Sequence, residues 1–340
     1  MRAVRYAGAG IVEPVEEVAS NPGPGEVQVR VAYTGLCGTD LHIVQGAMDG
    51  RVSRPHILGH EMSGEVAAVG AGVDGWAIGD PVTVMPLTWD GTCHACEAGH
   101  EHVCHNLDFI GIDSPGSLQE LWNVPSHTLV RLPYGLRLDH AALIEPVAVA
   151  VHDVRRSGLG SGEKAVIIGG GPIGLLIASV AREIGAEVLI IEHDSNRRRL
   201  IRGLGFSTID PNETDQIVRV DRWTDGAGAD VVFEVSGAAA AVLGATRLTR
   251  VRGTIVIVAI HRRPREIDLQ RMFWRELRLI AVRAYESADF SAALELVAVG
   301  RIAADLLITR IVPLSQTAAA ISDLEAGLAL KILVDVRDAS

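Results

Sequence analysis

One stretch of this chain constrains its fold more than any other, the segment 165–194. It begins with a short β-branched run, passes through the pattern G-x-G-x-x-G at 169–174, and continues with apolar residues at helical spacing. A second apolar run, Val188–Ile191, leads directly to Glu192. A strand, a glycine turn, a helix and a second strand in this order predict part of a doubly wound parallel sheet.

The glycine turn has the pattern that binds a dinucleotide. Without side chains at these positions, a pyrophosphate can approach the backbone and lie at the positive N-terminal end of the following helix. A lone glycine pattern also occurs as a plain strand–helix connection, but here an acidic residue closes the next strand, about 20 residues on. We therefore predict that the cofactor-binding residues of the turn are Gly169, Gly171, Pro172, Ile173 and Gly174.

Glu192 predicts NAD rather than NADP as the cofactor. Its carboxylate would accept hydrogen bonds from both ribose hydroxyls, whereas a 2′-phosphate would meet like charge at close range. Arg197 and Arg198 are the opposing observation, because a mobile arginine can reach such a phosphate. We interpret the arginine run 197–199 as the solvated face of the helix that follows Glu192.

Composition limits the class of protein. A length of 340 residues with 48% hydrophobic and 21% charged side chains is typical of a globular protein of about two domains. The formal charge of −11 argues against a nucleic-acid partner, since that binding depends on clustered cations. No signal-peptide core and no apolar stretch of membrane-spanning length is present, so we expect a cytoplasmic protein that binds no membrane.

The texture of the sequence changes near residue 150. The earlier part is rich in short alternating runs separated by glycine and proline turns, which predicts a β-rich domain. Strand and helix patterns then alternate, with a buried strand predicted over Thr254–Ile260, which is typical of a parallel sheet with helices on its faces. The last predicted strand, Lys331–Val336, is a candidate for return to the first domain.

Two short segments in the first domain carry groups suited to a metal. Gly35-Leu-Cys-Gly-Thr-Asp-Leu-His42 contains a thiol, a hydroxyl, a carboxylate and an imidazole, and Gly59-His-Glu61 follows about twenty residues on. Cys37 alone is as often a structural cysteine, and His60 alone is more often a core histidine than a ligand. With Glu145 they form the mixed S, N and O set of an open zinc site. Asp40 either orients a histidine ligand or caps a helix.

The combination GLCGTDLH, GHE, an IEP glutamate and GGGPIG, in this order and spacing, resembles the zinc-dependent medium-chain alcohol dehydrogenases. The similarity is greatest to the polyol, butanediol and threonine dehydrogenase branch. It implies an α/β protein in which a GroES-like catalytic domain, 1–150 completed by 286–340, is combined with a Rossmann NAD-binding domain, 151–285. It also implies a homo-oligomer, either a dimer or a tetramer.

The same resemblance assigns roles to residues. Cys37, His60 and Glu61 match ligands of the catalytic zinc. Glu145 matches a glutamate that holds the zinc water or enters the coordination sphere, and the choice between Glu61 and Glu145 in the resting enzyme stays open. Thr39 and His42 match a relay that removes the alcohol proton by way of the cofactor ribose.

A second cysteine group occupies the position of the family's structural-zinc lobe, which normally reads C-x2-C-x2-C-x7-C. Here an aspartate replaces the first cysteine, and carboxylate oxygen is also a zinc ligand. The resulting prediction is a second zinc held by Asp90, Cys93, Cys96 and Cys104. The alternatives are weak binding, an empty lobe with free thiols, or a fourth ligand supplied by His94, His100, His102 or His105.

These features predict an NAD-dependent zinc enzyme that oxidises a small-molecule secondary alcohol, a vicinal diol or polyol, to a ketone. Relatives that oxidise primary alcohols typically have a third cysteine on the metal, and this chain has Glu145 in its place. Threonine or another secondary alcohol is the alternative substrate. A zinc-free quinone or enoyl reductase has no use for the ligand set, and a non-catalytic nucleotide-binding protein has none for Thr39 and His42. The sequence does not name the alcohol.

Overall fold

The structure is a computed structural model, and it describes residues 1–337. The chain divides into two compact units. The first comprises Met1–Glu145, Glu286–Gly300 and the chain from Ala304 onward, and the second comprises Pro146–Tyr285 with Arg301–Ala303. Among the described residues, no helix has the length and apolar character required to cross a bilayer.

The strands alternate with short connections in the first unit and with helices in the second. In chain order they are β1 Arg2–Gly8, β2 Ile11–Glu16, β3 Glu26–Gly35, β4 His56–Ile57, β5 Glu61–Val69, β6 Pro81–Val84, β7 Leu87–Thr88, β8 Asp108–Phe109, β9 Leu121–Pro125, β10 Leu129–Arg131, β11 Lys164–Ile168, β12 Glu187–Ile191, β13 Ser207–Ile209, β14 Ala229–Glu234, β15 Thr249–Ile257, β16 Arg278–Ala281, β17 Ile308–Pro313 and β18 Lys331–Asp335.

The longest helices lie in the second unit or begin where the chain passes from one unit to the other. The helices are α1 Gly38–Val44, α2 His94–Glu97, α3 Leu138–Ala141, α4 Ile144–Ser157, α5 Pro172–Glu183, α6 Ser195–Gly203, α7 Gln216–Trp223, α8 Ala239–Leu248, α9 Leu269–Arg275, α10 Ser287–Ala298, α11 Ala304–Leu307 and α12 Thr317–Glu325. Short 3₁₀ turns lie at Glu101–Val103, Ser126–Thr128 and Leu314–Gln316.

The second unit is built on a six-stranded parallel sheet with strand order β13-β12-β11-β14-β15-β16. Its core contains Val166, Leu189, Val232 and Ile255, all nearly inaccessible to solvent. Strands buried on both faces need apolar residues at successive positions, which explains the continuous β-branched runs in the sequence. The order is that of a Rossmann domain, so the predicted parallel-sheet fold is confirmed.

The glycine turn joins β11 to α5 as predicted. Gly171 precedes the helix and Pro172 is its first residue, where a missing N–H costs no hydrogen bond. A Cβ atom added to Gly174 would lie 2.0 Å from the carbonyl oxygen of Gly169. Only glycine therefore allows the helix to approach the end of the strand this closely.

The first unit contains a seven-stranded sheet with β3 near its centre. β3 pairs antiparallel with β5 through Gly35 opposite Glu61, and with β18 through Gly35 opposite Leu333. Residues from three distant parts of the chain therefore meet at the end of β3. The prediction that the last strand returns to the first domain agrees with this pairing.

Two details differ from the sequence-based predictions. β15 begins at Thr249, earlier than expected, and Arg252 within it has a left-handed backbone with φ 58°. A register shift between β14 and β15 accompanies this start, and such an irregularity has no periodic signal in the sequence. In the arginine run, Arg198 is buried and pairs with Asp210, so only part of that run is a solvated face.

Candidate active site

Cys37 lies just after β3 and forms the N-cap of α1. Its Sγ accepts a hydrogen bond from the backbone N–H of Thr39 at 3.2 Å. Asp40 completes a capping box, because its Oδ2 accepts the backbone N–H of Cys37 at 2.9 Å. The local sequence thus fixes the direction of the thiol before any metal is considered.

His60 and Glu61 come from the start of β5, the strand beside β3. The Nε2 atom of His60 lies 3.2 Å from the Sγ atom of Cys37, and ligand atoms of Cys37, His60 and Glu61 all lie within 4.8 Å of one another. His60 and Glu61 are almost fully buried. The structure therefore brings together the thiol, imidazole and carboxylate that the sequence predicted as ligands.

Asp40 is not the N-cap of α1, which is Cys37, but it lies close to both of the features considered for it. Its Oδ2 belongs to the capping box, at the third helical position rather than the N-cap, while its Oδ1 lies 3.9 Å from Nδ1 of His60. Both of these facing atoms are buried, and neither has a hydrogen-bond partner among the described residues. A carboxylate behind the second ring nitrogen is the usual way to orient a metal-binding histidine.

Charge accumulates around His60. Burial lowers the pKa of the imidazole, but the negative charges of Cys37, Asp40 and Glu145 raise that pKa well above its ordinary value. Burial raises the pKa of Asp40 above its usual range, with the charge of His60 opposing the rise. A buried cluster of a thiol and acidic side chains is stabilised by a bound cation.

The remaining predicted catalytic residues lie nearby in the first unit. Glu145 is buried in the first turn of α4, and its charge acts on His60, although it lies outside the group of atoms within 4.8 Å. Thr39 and His42 are half-buried on α1. Three residues apart on a helix, they share one face.

One residue of this site was missed by the sequence analysis. Lys331, the first residue of β18, forms a buried ion pair with Glu61, and its Nζ donates to the carbonyl oxygen of Leu36 at 2.9 Å. The pairing spans 270 residues of sequence. A lysine at the start of an apolar strand gives no local signal of such a role.

The second cysteine group, which we call the thiol lobe, comprises Asp90, Cys93, Cys96 and Cys104. Ligand atoms of all four lie within 4.8 Å of one another, with Cys93 Sγ at 3.6 Å from Cys96 Sγ and 3.7 Å from Cys104 Sγ. Over residues 1–337, this group contains Asp90 and none of the four histidines considered as alternatives. The lobe offers four ligand atoms from a single continuous segment.

Backbone donors surround the lobe. Asp90 Oδ1 accepts the N–H groups of Thr92 and Cys93, and its Oδ2 accepts the side-chain amide of Asn106 at 2.5 Å. These hydrogen bonds hold the pKa of the Asp90 carboxyl well below its usual range, and the bond from Asn106 has the largest effect. The N–H of His105 lowers the pKa of Cys93 to about 7, whereas burial raises that of Cys96 to about 12.

The predicted cofactor residues lie at the carboxyl end of the parallel sheet. Glu192 follows β12 and is buried, its Oε2 accepting the N–H of Gly170 and its Oε1 that of Asp194. Arg197 Nη1 lies 4.0 Å from Glu192 Oε2, and His193 Nδ1 lies 3.1 Å from Glu192 Oε1. The carboxylate thus joins the glycine turn to the end of the next strand, the edge where open parallel sheets bind ligands.

Comparisons with known proteins agree with this geometry. Two family models match the chain, the alcohol dehydrogenase GroES-like domain over residues 23–134 and the zinc-binding dehydrogenase over residues 172–299. A 2-dehydro-3-deoxy-L-galactonate 5-dehydrogenase from Pseudoalteromonas atlantica is 48% identical over 336 residues, 98% of each chain. The chain belongs to the zinc-dependent medium-chain alcohol dehydrogenase family.

Two further relatives are also dehydrogenases. A sorbitol dehydrogenase from Halalkalibacterium halodurans is 32% identical and covers 96% of each chain. A solved zinc-binding dehydrogenase from Sinorhizobium meliloti, bound to NADP, is 34% identical with a TM-score of 0.92 over 98% of each chain. The predictions of the family, of its GroES-like and Rossmann folds and of a zinc-dependent alcohol oxidoreductase are confirmed.

The residues at the active site of this dehydrogenase fit zinc. Thiolate sulfur and imidazole nitrogen favour zinc over magnesium or calcium, which prefer oxygen ligands. The buried Oδ1 of Asp40 lies 3.9 Å from Nδ1 of His60, on the side where a carboxylate that orients a zinc-binding histidine is expected. The thiol lobe meets the same chemical requirement with three sulfur atoms and one carboxylate.

Proposed function

We propose that this dehydrogenase oxidises one secondary hydroxyl of a polyhydroxylated acid or polyol to a ketone, with NAD as the hydride acceptor. The proposal rests chiefly on the Cys37–His60 contact of 3.2 Å beside a buried carboxylate, Glu61. The 48% identity to a sugar-acid 5-dehydrogenase over nearly the whole chain supports a sugar acid as the preferred substrate.

In this proposal Cys37 and His60 hold the catalytic zinc, together with Glu61 or Glu145. Zinc bound there supplies Lewis acidity, which lowers the pKa of the substrate hydroxyl. Thr39 would accept the proton of that hydroxyl while releasing its own, and His42, the last group of the relay, would accept the released proton and pass it to solvent. Asp40 keeps the ring of His60 in its binding orientation, consistent with its 3.9 Å separation from Nδ1.

Glu145 is proposed to discriminate between substrates. As a buried carboxylate, it can accept a hydrogen bond from a second hydroxyl of a diol. A substrate without that hydroxyl forgoes this hydrogen bond to a charged group, which is worth about 1.5–3 kcal/mol. Substrates with adjacent hydroxyls are therefore expected to react faster than simple alcohols.

A substrate panel tests this function. We expect kcat/KM to be highest for a 3-deoxy-2-keto sugar acid, lower for sorbitol, 2,3-butanediol and threonine, and lowest for ethanol. Glu145→Gln should narrow the difference between 2,3-butanediol and 2-propanol. A primary alcohol giving the highest kcat/KM would overturn the assignment.

NAD is proposed over NADP because of the carboxylate of Glu192. The neighbouring Arg197 and the NADP-bound relative from Sinorhizobium meliloti weigh on the other side. Steady-state kinetics with both cofactors separate the two. Glu192→Ala should reduce the preference for NAD, whereas the exposed Arg199→Ala is the control and should leave it unchanged. A higher kcat/KM with NADP in the wild-type enzyme would contradict the proposal.

A second, structural zinc is proposed for the thiol lobe, held by Asp90, Cys93, Cys96 and Cys104. We also propose that residues 1–150 with 286–340 form the catalytic domain and that 151–285 form the cofactor domain. The two compact units have boundaries near these positions. Zinc content of about two per chain, one for each proposed site, is the expected result of metal analysis.

A homo-oligomer, a dimer or tetramer, is proposed from the outer edge of the parallel sheet. β16 lies at that edge and pairs with β15 on its other side, and Leu279 on it is substantially exposed. Phe273 and Trp274 on the preceding α9 are each 74% exposed. An open edge beside exposed aromatic side chains is suited to a second copy of the chain. Light scattering coupled to size-exclusion chromatography tests this, and a monomer would contradict it.

A further inference from the structure

Glu234 is a fully buried carboxylate with one oxygen atom satisfied and the other not. It closes β14, and it is 0% exposed. Its Oε1 accepts hydrogen bonds from the N–H and hydroxyl groups of Ser236 and from the N–H of Gly237. Its Oε2 has no hydrogen-bond partner within residues 1–337. An unsatisfied buried acceptor is costly, so this position suits a further donor.

His261, in the loop that follows β15, lies beside this unsatisfied oxygen. Its Nε2 is 3.4 Å from Glu234 Oε2, without the alignment of a hydrogen bond. Both ring nitrogens of His261 are buried and also lack a hydrogen-bond partner in the described part of the chain. Glu234 and His261 therefore form a pair with unused hydrogen-bonding capacity, and no step proposed above involves them.

The pair lies next to the glycine turn, at the carboxyl edge of the parallel sheet. A Cβ atom added to Gly169 would lie 3.1 Å from the backbone nitrogen of Ser236, so the loop after β14 packs against the first glycine of the turn. The strand order runs outward from β11 to β13 on one side and from β14 to β16 on the other. The crevice between β11 and β14 is therefore the place where such sheets bind dinucleotides.

Glu192 and the Glu234–His261 pair flank this turn on opposite sides. Glu192 follows β12 and bonds to the N–H of Gly170, on the side proposed for the adenosine ribose. With the pyrophosphate at the turn, the second nucleoside of the cofactor is expected over the ends of β14 and β15. That nucleoside, nicotinamide riboside, carries hydroxyl and amide donors. A histidine that donates from Nε2 to Glu234 offers Nδ1 to them as an acceptor.

We propose that His261 binds the nicotinamide riboside half of the cofactor through Nδ1, and that Glu234 is a positioning residue that fixes the tautomer and direction of its ring. A small rotation of the ring converts the 3.4 Å approach into a hydrogen bond, and bonds of this kind often tighten only when the ligand is present. The inference rests on the proposed cofactor function. It applies equally to NAD and NADP, because both contain the same nicotinamide riboside.

Calorimetric titration of the full-length enzyme with NADH and with ADP tests the proposal. ADP has the adenosine and pyrophosphate groups of the cofactor but lacks the nicotinamide riboside. His261→Ala should raise the Kd for NADH by about 5–10-fold, the effect of one hydrogen bond, and leave the Kd for ADP unchanged. His127→Ala is the control, because His127 is an exposed histidine in a 3₁₀ turn of the first unit, and it should change neither Kd.

Glu234→Gln separates positioning from packing, because the two side chains have the same shape. The donors around Oε1 hold the amide oxygen at that position and turn the amide nitrogen towards His261. The imidazole must then accept at Nε2, which leaves an N–H at Nδ1 in place of the acceptor. Glu234→Gln should therefore weaken NADH binding as much as His261→Ala, and the double variant should bind no more weakly than either single variant.

The inference is overturned if His261→Ala has the wild-type Kd for NADH, or if the Kd values for NADH and ADP rise equally, which would indicate damage to the whole cofactor site. A folded Glu234→Gln with the wild-type Kd would overturn the role of Glu234. Thermal melts establish whether Glu234→Gln is folded, and if it is not, His261→Ala alone decides the question. A wild-type enzyme that binds neither NADH nor NADPH would refute the proposed cofactor and this inference together, which is a distinct outcome.

Discussion

The active-site group around Cys37 and the thiol lobe around Asp90 share ligand chemistry but differ in how their charges are satisfied. In the lobe, backbone N–H groups and Asn106 bond to the sulfur and carboxylate ligands from the same short segment. At the active site, a thiol, an imidazole and three acidic side chains come from β3, β5, α1 and α4, with Lys331 as the buried cation.

This difference corresponds to two uses of a metal. A lobe whose ligands lie close in sequence can close four ligands around zinc and stabilise local structure. A site assembled from distant segments can leave the negative charge of its ligands only partly compensated. Such a site favours a metal that keeps one coordination position open for substrate. The four predictions below are tests of this contrast.

The largest expected effect is on activity. Cys37→Ser should reduce kcat/KM by at least about 10³-fold, because metal Lewis acidity contributes several kcal/mol to the transition state. The zinc content should fall from about two to about one per chain while the far-ultraviolet circular dichroism stays unchanged. If Cys37→Ser keeps its activity with only one zinc per chain, the zinc at Cys37 is not the catalytic one. The distinction between the two groups would then be removed.

Thr39→Val should reduce kcat by about 10²-fold, within the range of general acid–base catalysis, and should leave zinc content at the wild-type value. No residue of the thiol lobe is proposed to take part in proton transfer. The matched change Thr92→Val, beside Asp90, should leave kcat unaffected, because only the backbone N–H of Thr92 is used. An equal loss of kcat in Thr39→Val and Thr92→Val would contradict the proposed difference between the active-site group and the thiol lobe.

Asp90→Ala should weaken zinc binding in the lobe by about 10–100-fold and lower Tm, with little effect on kcat at saturating zinc. Elemental analysis after mild chelation and a thermal melt measure the two effects. Glu97→Ala is the control beside the lobe, since Glu97 is exposed and its ion pair among residues 1–337 is with the exposed His94. Retention of two zinc ions by Asp90→Ala would point to a histidine ligand.

The smallest effect is on acid stability, and its sign differs between the groups. Asp90 has a depressed pKa, so in metal-free protein the unfolded state binds more protons and stability is lost as pH falls below its usual pKa of 3.8. Burial raises the pKa of Asp40, so there the folded state binds more protons above pH 3.8 and stability is lost as pH rises.

Denaturant unfolding of the metal-free protein between about pH 2 and pH 6 checks these signs, each worth at most about one proton. Asp90→Asn should flatten the dependence of the unfolding free energy on pH, and Asp40→Asn should steepen it. Changes of the same sign in both variants would contradict the assignment of opposite pKa shifts.

The features that were predictable from sequence are local ones. The βαβ unit has an apolar run, a glycine turn and helical spacing within about 30 residues. Cys37 and Asp40 were recognisable because they lie in one short segment at the start of α1, and the lobe because its four ligands also lie in one short segment. Lys331 was missed because its role depends on β3, β5 and β18 lying side by side, and no pattern links residues 270 positions apart.

The irregular start of β15 and the buried Arg198 were missed for a similar reason. Arg252 adopts a left-handed conformation that its residue type does not predict. The burial of Arg198 depends on Asp210, beyond the end of the helix that carries it. For Arg198 the tertiary partner, not the local pattern, determines the conformation.

The pairing of β18 with β3 has a consequence for synthesis of the chain. Segments fold as they emerge, from the N-terminal end first, so β3 and β5 are made long before the strand that completes their sheet. Until then the end of β3 at Tyr33–Gly35 presents an open edge to other chains, and Glu61 lacks its ammonium partner. A nascent chain that stalls before residue 331 is therefore expected to be both inactive and prone to aggregation.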